Sequence, residues 1–306
     1  MELGDWLSSA VDRLLFGVPR WLARLTKVRG GIARRLHVTE AKVSEVENHL
    51  KALTAHVLKR QAEEAQKAFQ PRAEASPPVP DPDAPPFDDT LDAMQRLAPH
   101  AFRQWKALLD ESREVYAGCP AHSCSVASHP VAELFRGFVA PYLRGRVLDI
   151  GPGPQPVPWY LEGYPTGWIA GIDPLAPPMP HPFTFVQGVA EFLPWGHRTF
   201  DVAIAATTLD HLLVPGKALE EIHRVLKPEG RFLVWVSFVD QAPRYDPYAE
   251  TVQRVDAYHL FHYTRESFEW DVGARFVIED AIAADAASRF YALTPRPGER
   301  KSRPGV

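Results

Sequence analysis

Four apolar runs recur through the second half of the chain, each ending in a polar or glycine-bearing turn. Arg146 to Ile150 leads into Gly151-Pro152-Gly153, Trp168 to Ile172 ends on Asp173, and Phe200 to Ala206 and Arg231 to Val236 follow. Between the last two, Lys217 to Leu226 carries Leu219, Ile222, Val225 and Leu226 on one helical face. Near-continuous apolar strands alternating with amphipathic helices predict a parallel sheet covered on both faces. Ligands of such sheets bind beyond the carboxyl ends of the strands, so a small-molecule site is expected there.

The first ninety residues follow a different pattern. Within residues 5–28, Trp6, Leu7, Val11, Leu14, Leu15, Val18, Trp21, Leu22, Leu25 and Val28 keep helical spacing, interrupted at Pro19, while Arg13, Arg20, Arg24 and Lys27 fill other positions. Such a helix suits peripheral contact with a bilayer interface; the alternative is packing on a partner chain or on the globular part. From Leu36 onward, Thr39, Val43, Val46, Leu50, Leu53 and Val57 alternate spacings of three and four, the seam of a short coiled coil. Homo-oligomerisation through residues 36–66 is expected, with folding back onto the chain's own globular part as the alternative. Seven prolines between Pro71 and Pro86 mark a linker. Further helices are predicted over Leu91 to Val115 and Val131 to Tyr142. The resulting division is 1–35 (amphipathic helix), 36–69 (coiled coil), 70–89 (linker), 90–145 (helical cap), 146–296 (ligand-binding domain) and 297–306 (disordered tail).

At 306 residues the chain can bury a full core. A net charge of −4, with no basic stripe in the globular part, argues against a nucleic-acid partner. Two cysteines, Cys119 and Cys124, make no disulfide framework. No run is apolar enough to span a membrane. The expected location is the cytoplasm, with peripheral membrane contact as the open alternative. Cys119, His122, Cys124 and His129 lie within a dozen residues, but the five-residue cysteine spacing departs from common zinc pairs. A polar loop closing over the site is the favoured reading.

The turn after Asp149 frees the backbone for a close ligand approach at Gly151 and Gly153, yet Pro154 and Pro156 remove amide donors. That disfavours phosphate cradling and favours a ligand held by carboxylates and carbonyls. Asp173, ending a strand, is placed to accept ribose hydroxyls, or else serves as a turn residue before Pro174. The segment 240–264 is rich in aromatic residues: Tyr245, Tyr248, Tyr258, Phe261 and Tyr263 alternate with Asp246, Asp256, His259 and His262. Aromatic faces with polar groups between them suit a hydroxylated ring, so Tyr245, Tyr248, Tyr258, Tyr263 and Arg244 are candidate substrate-binding residues. An aspartate followed by histidines at three and six residues could also hold a divalent metal, although nothing in the sequence fixes that geometry.

Val147-Leu148-Asp149-Ile150-Gly151-Pro152-Gly153, Gly171-Ile172-Asp173, Ala190-Glu191-Phe192-Leu193-Pro194-Trp195, Thr199-Phe200-Asp201-Val202 and the helix Ala218 to Leu226 ending in Lys227-Pro228-Glu229-Gly230-Arg231 resemble successive blocks of the class I S-adenosylmethionine-dependent methyltransferases, in their type 11 small-molecule branch. The resemblance covers residues 145 to about 295. It implies a Rossmann-like α/β fold with a seven-stranded, mostly parallel sheet, its last strand antiparallel, and helices on both faces. The strands fall at 146–150, 168–172, 184–188, 200–206, 231–238, 275–281 and 288–294. It also implies S-adenosylmethionine as cofactor, with Asp149, Gly151 and Gly153 at its methionine part, Asp173 at the ribose, Ala190 and Glu191 at the adenine edge, and Thr207 beside it. Two positions depart from the family pattern: Gln155 stands at its third turn glycine and Val189 at its adenine-facing carboxylate. The loop after the fourth strand would lie beside the transferred methyl, making His211 and Asp210 the candidates nearest the chemistry.

Methyl transfer is an in-line displacement, and a hydroxyl acceptor needs a base for its proton. His211, His259 or His262 could supply it. The expected reaction is O-methylation of a sugar, glycan or lipid-linked glycan precursor. The alternatives are methylation of a soluble secondary metabolite or cofactor precursor, and a non-catalytic cofactor-binding scaffold that recruits a partner through its coiled coil.

Overall fold

The computed structural model describes residues 42–46, 48–49, 52–61, 63–64, 76–118 and 123–297. The chain divides into two compact units, Met1–His56 and Val57–Val306. The membrane-facing reading of residues 5–28 lies outside the described residues, as does nearly all of the tail from 297. No described helix is long and apolar enough to cross a membrane. Residues 42–46, 48–49, 52–61 and 63–64 are helical. Val46, Leu53 and Val57 of the expected seam are exposed. In the second unit Leu58, which lies off that seam, is buried at 4% exposure.

The second unit is built on a seven-stranded sheet: β1 (Val147–Ile150), β2 (Ile169–Asp173), β3 (Thr184–Gln187), β4 (Phe200–Ala206), β5 (Leu226–Ser237), β6 (Phe276–Ala283) and β7 (Ser288–Pro295). The order is β3-β2-β1-β4-β5-β7-β6. β7 runs antiparallel to both neighbours, while β1 to β5 pair in parallel. This is the expected topology, with edges shifted by a few residues. The largest shift is at β5, which begins at Leu226, where the sequence pattern predicts the end of a helix. A register shift between Phe200 and Val202 absorbs the extra residues.

Alternation along the buried strands sorts side chains into two layers. Leu148, Ile150, Ala203, Ala205, Phe232 and Val234 join one core with residues of α1 (Phe87–Leu97), α2 (Pro99–Ala117), α4 (Pro215–Val225) and α5 (Arg265–Gly273). Val147, Ile169, Val202, Ile204, Leu233 and Trp235 join the other, against Phe135, Phe138 and Tyr160 from α3 (Ala132–Val139) and the turn that follows β1.

Three local readings are corrected. The Leu91 to Val115 helix is two helices, because Pro99 pushes Ala98 out of helical geometry, with φ −144°. The linker does not extend to residue 89: α1 starts at Phe87. Ahead of it, Pro78 is buried and the Asp81 amide donates to the Pro194 carbonyl at 2.8 Å. The third predicted helix is α3 with a 3-10 turn, Ala140–Tyr142, after it.

α4 carries the clearest apolar stripe and starts with proline at its first turn, where the missing amide costs no helical bond. Arg224 donates to the Glu221 carboxylate and to the carbonyls of Leu193 and Trp195, and Glu221 accepts the Leu193 amide. Arg224 is therefore structural. It fastens the loop beyond β3 to the helix.

Candidate functional site

A cleft of about 400 Å³ opens at the carboxyl ends of β1, β2 and β4 and is covered by α2. Its volume lies within the ordinary range for small-molecule sites. The turn after β1 enters it at Gly151 (φ +71°) and Gly153 (φ +81°), both left-handed and so costly for any other residue. A Cβ on Gly153 would come 2.7 Å from Ser125 Oγ, so the close approach of this backbone also requires glycine.

Asp173 lines the cleft where β2 ends. Its Oδ1 accepts the Leu175 amide at 2.8 Å, and its Oδ2 accepts the Tyr116 hydroxyl at 2.8 Å. Burial pushes its carboxyl up to about 6, opposed by the amides of Leu175 and Gly153 and by Tyr116. Asp149, expected at the methionine part of the cofactor, is fully buried at the end of β1. It does not line the cleft. Alternation puts it on the same face of β1 as Val147, towards the α3 layer, where the Tyr160 hydroxyl lies 3.1 and 3.0 Å from its two oxygens. Burial raises its carboxyl to about 8, with the Asp173 charge adding to the rise.

Val189, Ala190 and Glu191, expected at an adenine edge, line the cleft. The Glu191 carboxylate has another duty: Oε1 accepts the Val214 amide at 2.9 Å, which ties this turn to the start of α4. Thr207 also lines the cleft, with a left-handed φ of +54° that is unusual for a β-branched residue. Its hydroxyl donates to Cys124 Sγ at 3.2 Å, and the thiol in turn donates to the Ala206 carbonyl at 3.3 Å. Ser123 and Cys124 thus bring the upstream polar loop to the cleft, as anticipated. Burial pushes the Cys124 thiol up to about 11. Cys119 and His122 of the zinc reading lie outside the described residues.

At the opposite end, the 3-10 turn Leu209–His211 meets the aromatic segment. His211 and His259 stack with ring centroids 4.6 Å apart, and both line the cleft with Tyr258. His259 Nε2 lies 3.8 Å from Asp210 Oδ2. His259 Nδ1 contacts the Asp256 carboxylate at 3.0 Å, and His262 Nε2 lies 3.0 Å from Asp256 Oδ2. Burial, the largest single influence, acts upward on Asp256, but the amides of Tyr258 and His259 and the His259 ring together outweigh it and hold the carboxyl down at about 2. An ionised carboxylate only accepts, so both imidazoles donate to it. Burial lowers the pKa of His211, opposed by a hydrogen bond to the Tyr258 backbone. Burial raises that of Asp210, opposed by His259. The four proposed catalytic residues therefore form one cluster.

The five candidate substrate residues do not share a wall. Tyr258 lines the cleft, whereas Arg244, Tyr245, Tyr248 and Tyr263 surround a second cavity of about 480 Å³ beside α4 and α5, which His262 also reaches. There Tyr245 stacks on Phe261 at 4.3 Å and donates to the Leu213 carbonyl, Tyr263 is buried, and Tyr248 is exposed. Arg244 sits 3.8 Å from Asp271 and over the Trp270 ring.

Sequence reasoning missed the cover. Trp105 Nε1 donates to the His211 carbonyl at 2.9 Å, about three helical turns from Tyr116 on Asp173. α2 thus spans both ends of the cleft. Only its amphipathic spacing is visible in the sequence, and that spacing does not distinguish a lid from any packed helix.

A family model described as "Methyltransferase domain" matches residues 148–234. The uncharacterized protein YafE of Escherichia coli is 36% identical over 85 residues, 28% of this chain and 40% of that protein. The ubiquinone/menaquinone biosynthesis C-methyltransferase UbiE of Syntrophotalea carbinolica is 35% identical over 101 residues, 29% of this chain and 43% of that one. The chain thus spans less than half the length of the curated relatives it matches. Among solved structures, the Burkholderia thailandensis 1,6-didemethyltoxoflavin-N1-methyltransferase, crystallised with its substrate and S-adenosylhomocysteine, superposes with a TM-score of 0.45 at 18% identity, covering 74% of this chain and 97% of that one. The PH0226 protein of Pyrococcus horikoshii gives 0.47 at 19%, covering 60% and 99%. The likeness to a methyltransferase domain thus lies in residues 148–234, the segment that carries β1 to β4, α4 and most of β5.

Proposed function

We propose that the chain transfers the methyl group of S-adenosylmethionine to an oxygen of a small hydroxylated acceptor. The observation that carries this reading is the placement, in one covered cleft, of a ribose-competent carboxylate and glycine turn at one end and the His211–His259 pair at the other. The sulfonium is already activated, so the protein's work is alignment, water exclusion and help with the acceptor's proton. Asp173 accepts the ribose hydroxyls, the backbone at Gly151 and Gly153 approaches the methionine part, and Val189 and Ala190 pack against adenine. Tyr258 and Leu260 give the acceptor an apolar face next to the histidines.

A glycan or lipid-linked precursor is a second reading for the acceptor. It is favoured by the neighbouring cavity, where Tyr248 and Trp270 expose aromatic faces beside Arg244. An extended acceptor would use both cavities; a compact metabolite would use the cleft alone. Pairing with a second copy through residues 36–66 is likewise a proposal, supported by the exposed Val46, Leu53 and Val57. Contact of residues 5–28 with a membrane surface is proposed on the sequence pattern alone.

The test is calorimetric titration of the full chain with S-adenosylmethionine, S-adenosylhomocysteine and NAD, followed by labelled-methyl transfer to arrays of phenols, hydroxy acids and sugars. Saturable binding of both sulfur ligands, none of NAD, and label in an alkali-stable ether support the reading. Binding without turnover on any array favours the scaffold alternative. No binding by the folded chain overturns the reading.

A further inference from the structure

The histidine cluster has the composition and outer support of a metal site. One donor atom from each of Asp210, His211 and His259 lies within 4.8 Å of the other two. Bonds of about 2.0–2.2 Å to a bound ion put neighbouring donors roughly 3–3.5 Å apart, so closing the triad requires only small side-chain rotations. The histidines are already held in place. His259 donates Nδ1–H to Asp256, which leaves Nε2 on the side of Asp210, and the His211 ring stacks on the His259 ring with centroids 4.6 Å apart. A ligand histidine whose second nitrogen is held by a carboxylate or carbonyl is the recurrent outer shell of metal centres.

We propose that Asp210, His211 and His259 form a two-histidine, one-carboxylate site for a divalent transition-metal ion, which binds the acceptor oxygen beside the transferred methyl. The ion's role rests on the methyl-transfer reading; its binding does not. Imidazole donors favour ions such as zinc or cobalt over magnesium, calcium and manganese, which prefer oxygen. Three protein ligands leave positions open for an exogenous oxygen, as catalytic sites require. A second triad, Asp256, His259 and His262, shares His259. Asp256 is the weaker candidate for an ion because its Oδ1 already accepts the amides of Tyr258 and His259, and its side chain is 40% exposed against 9% for Asp210. Its role is to orient.

The step balances without any redox partner. The coordinated hydroxyl releases its proton to solvent and binds as an oxyanion. An oxygen lone pair forms the new bond to the methyl carbon, the carbon–sulfur bond breaks, and its electron pair stays on sulfur as a neutral thioether. An acceptor with a second oxygen next to the first would chelate the ion and be preferred.

The experiment uses the full chain stripped with chelator and titrated with Mn²⁺, Co²⁺ and Zn²⁺ separately, with S-adenosylhomocysteine titrated in parallel. The expected result is one ion per chain, lost in Asp210→Asn and in His259→Gln and retained in His262→Ala, with the fold of each variant checked by circular dichroism. Cobalt should show an absorption spectrum of mixed nitrogen and oxygen ligation. Failure of every ion to bind overturns the site. Loss of the ion in His262→Ala with retention in Asp210→Asn also overturns it, because the ion would then sit in the outer triad. Ion binding without S-adenosylhomocysteine binding leaves the site standing and overturns the methyl-transfer reading. Cofactor binding without ion binding does the reverse.

Discussion

Asp173 provides the sharpest test of the cofactor end. If its carboxylate accepts ribose hydroxyls, Asp173→Asn keeps the shape of the side chain and removes the charge. Hydrogen bonds to charged groups contribute about 1.5–3 kcal/mol each. Losing one such contribution weakens S-adenosylhomocysteine binding by roughly 10- to 100-fold, at about 1.4 kcal/mol per decade. The wild-type protein should also show a pH signature. Its Asp173 pKa is about 6, and the ionised form is the one that binds. At about pH 5 only around a tenth of the sites are competent, so apparent affinity falls about tenfold from its value near pH 8. The variant should lose this dependence. Tyr116→Phe is the complementary change. The hydroxyl of Tyr116 occupies Asp173 Oδ2 in the unliganded protein. If ribose displaces it, the variant forfeits a hydrogen bond of about 1 kcal/mol only in the free state, and the ligand binds roughly fivefold tighter. Because Tyr116 also lowers the Asp173 pKa, the acid limb moves to higher pH in that variant. Calorimetry across the pH range reads all three effects. Unchanged affinity in Asp173→Asn, with a flat wild-type pH profile, would refute the ribose assignment.

Gly153→Ala should lower stability by about 1–2 kcal/mol, because φ is +81° and the new methyl would meet Ser125 Oγ; urea unfolding measures it, and a neutral result contradicts the strain argument. Asp149→Asn should flatten the pH dependence of stability. The folded carboxyl titrates at about 8 and the unfolded one near 3.8, so the folded state holds its proton more tightly. The wild type therefore loses stability as pH rises from about 4 to about 8, and the variant loses less. Denaturation midpoints across that window that fall equally in both proteins would remove Asp149 as the cause.

The strands were legible because their signal is local. β1, β2 and β4 are buried on both faces, so each reads as a short apolar run closed by a polar residue, and no long-range knowledge is needed. The same locality hides the surroundings of Asp149. Its place after Val147 and Leu148 is plain, but the Tyr160 hydroxyl that meets it, from the turn beyond β1, is not. Glu191 poses a related ambiguity. A carboxylate at the end of a turn can face a ligand or cap the next element, and only the position of the Val214 amide decides between them.

The cover of the cleft depends on pairings that the sequence does not encode locally. Trp105 reaches the His211 carbonyl across 106 positions, and Tyr116 reaches Asp173 across 57. The histidine cluster joins residues 210–211 to residues 256–262 in the same way. In the first two pairs one partner stands out in the sequence and the other lies in an ordinary helix; in the third both segments stand out, but nothing in the sequence brings them together. The split of the aromatic segment follows from this too. Tyr258 and His259 turn into the cleft because Asp256 captures their amides, whereas Tyr245 and Tyr263 are drawn the other way by Leu213, Phe261 and Phe268. The acceptor end is thus assembled from segments whose directions are set by backbone capture and core packing. Residue type alone could name its members but could not say which of two cavities each would face.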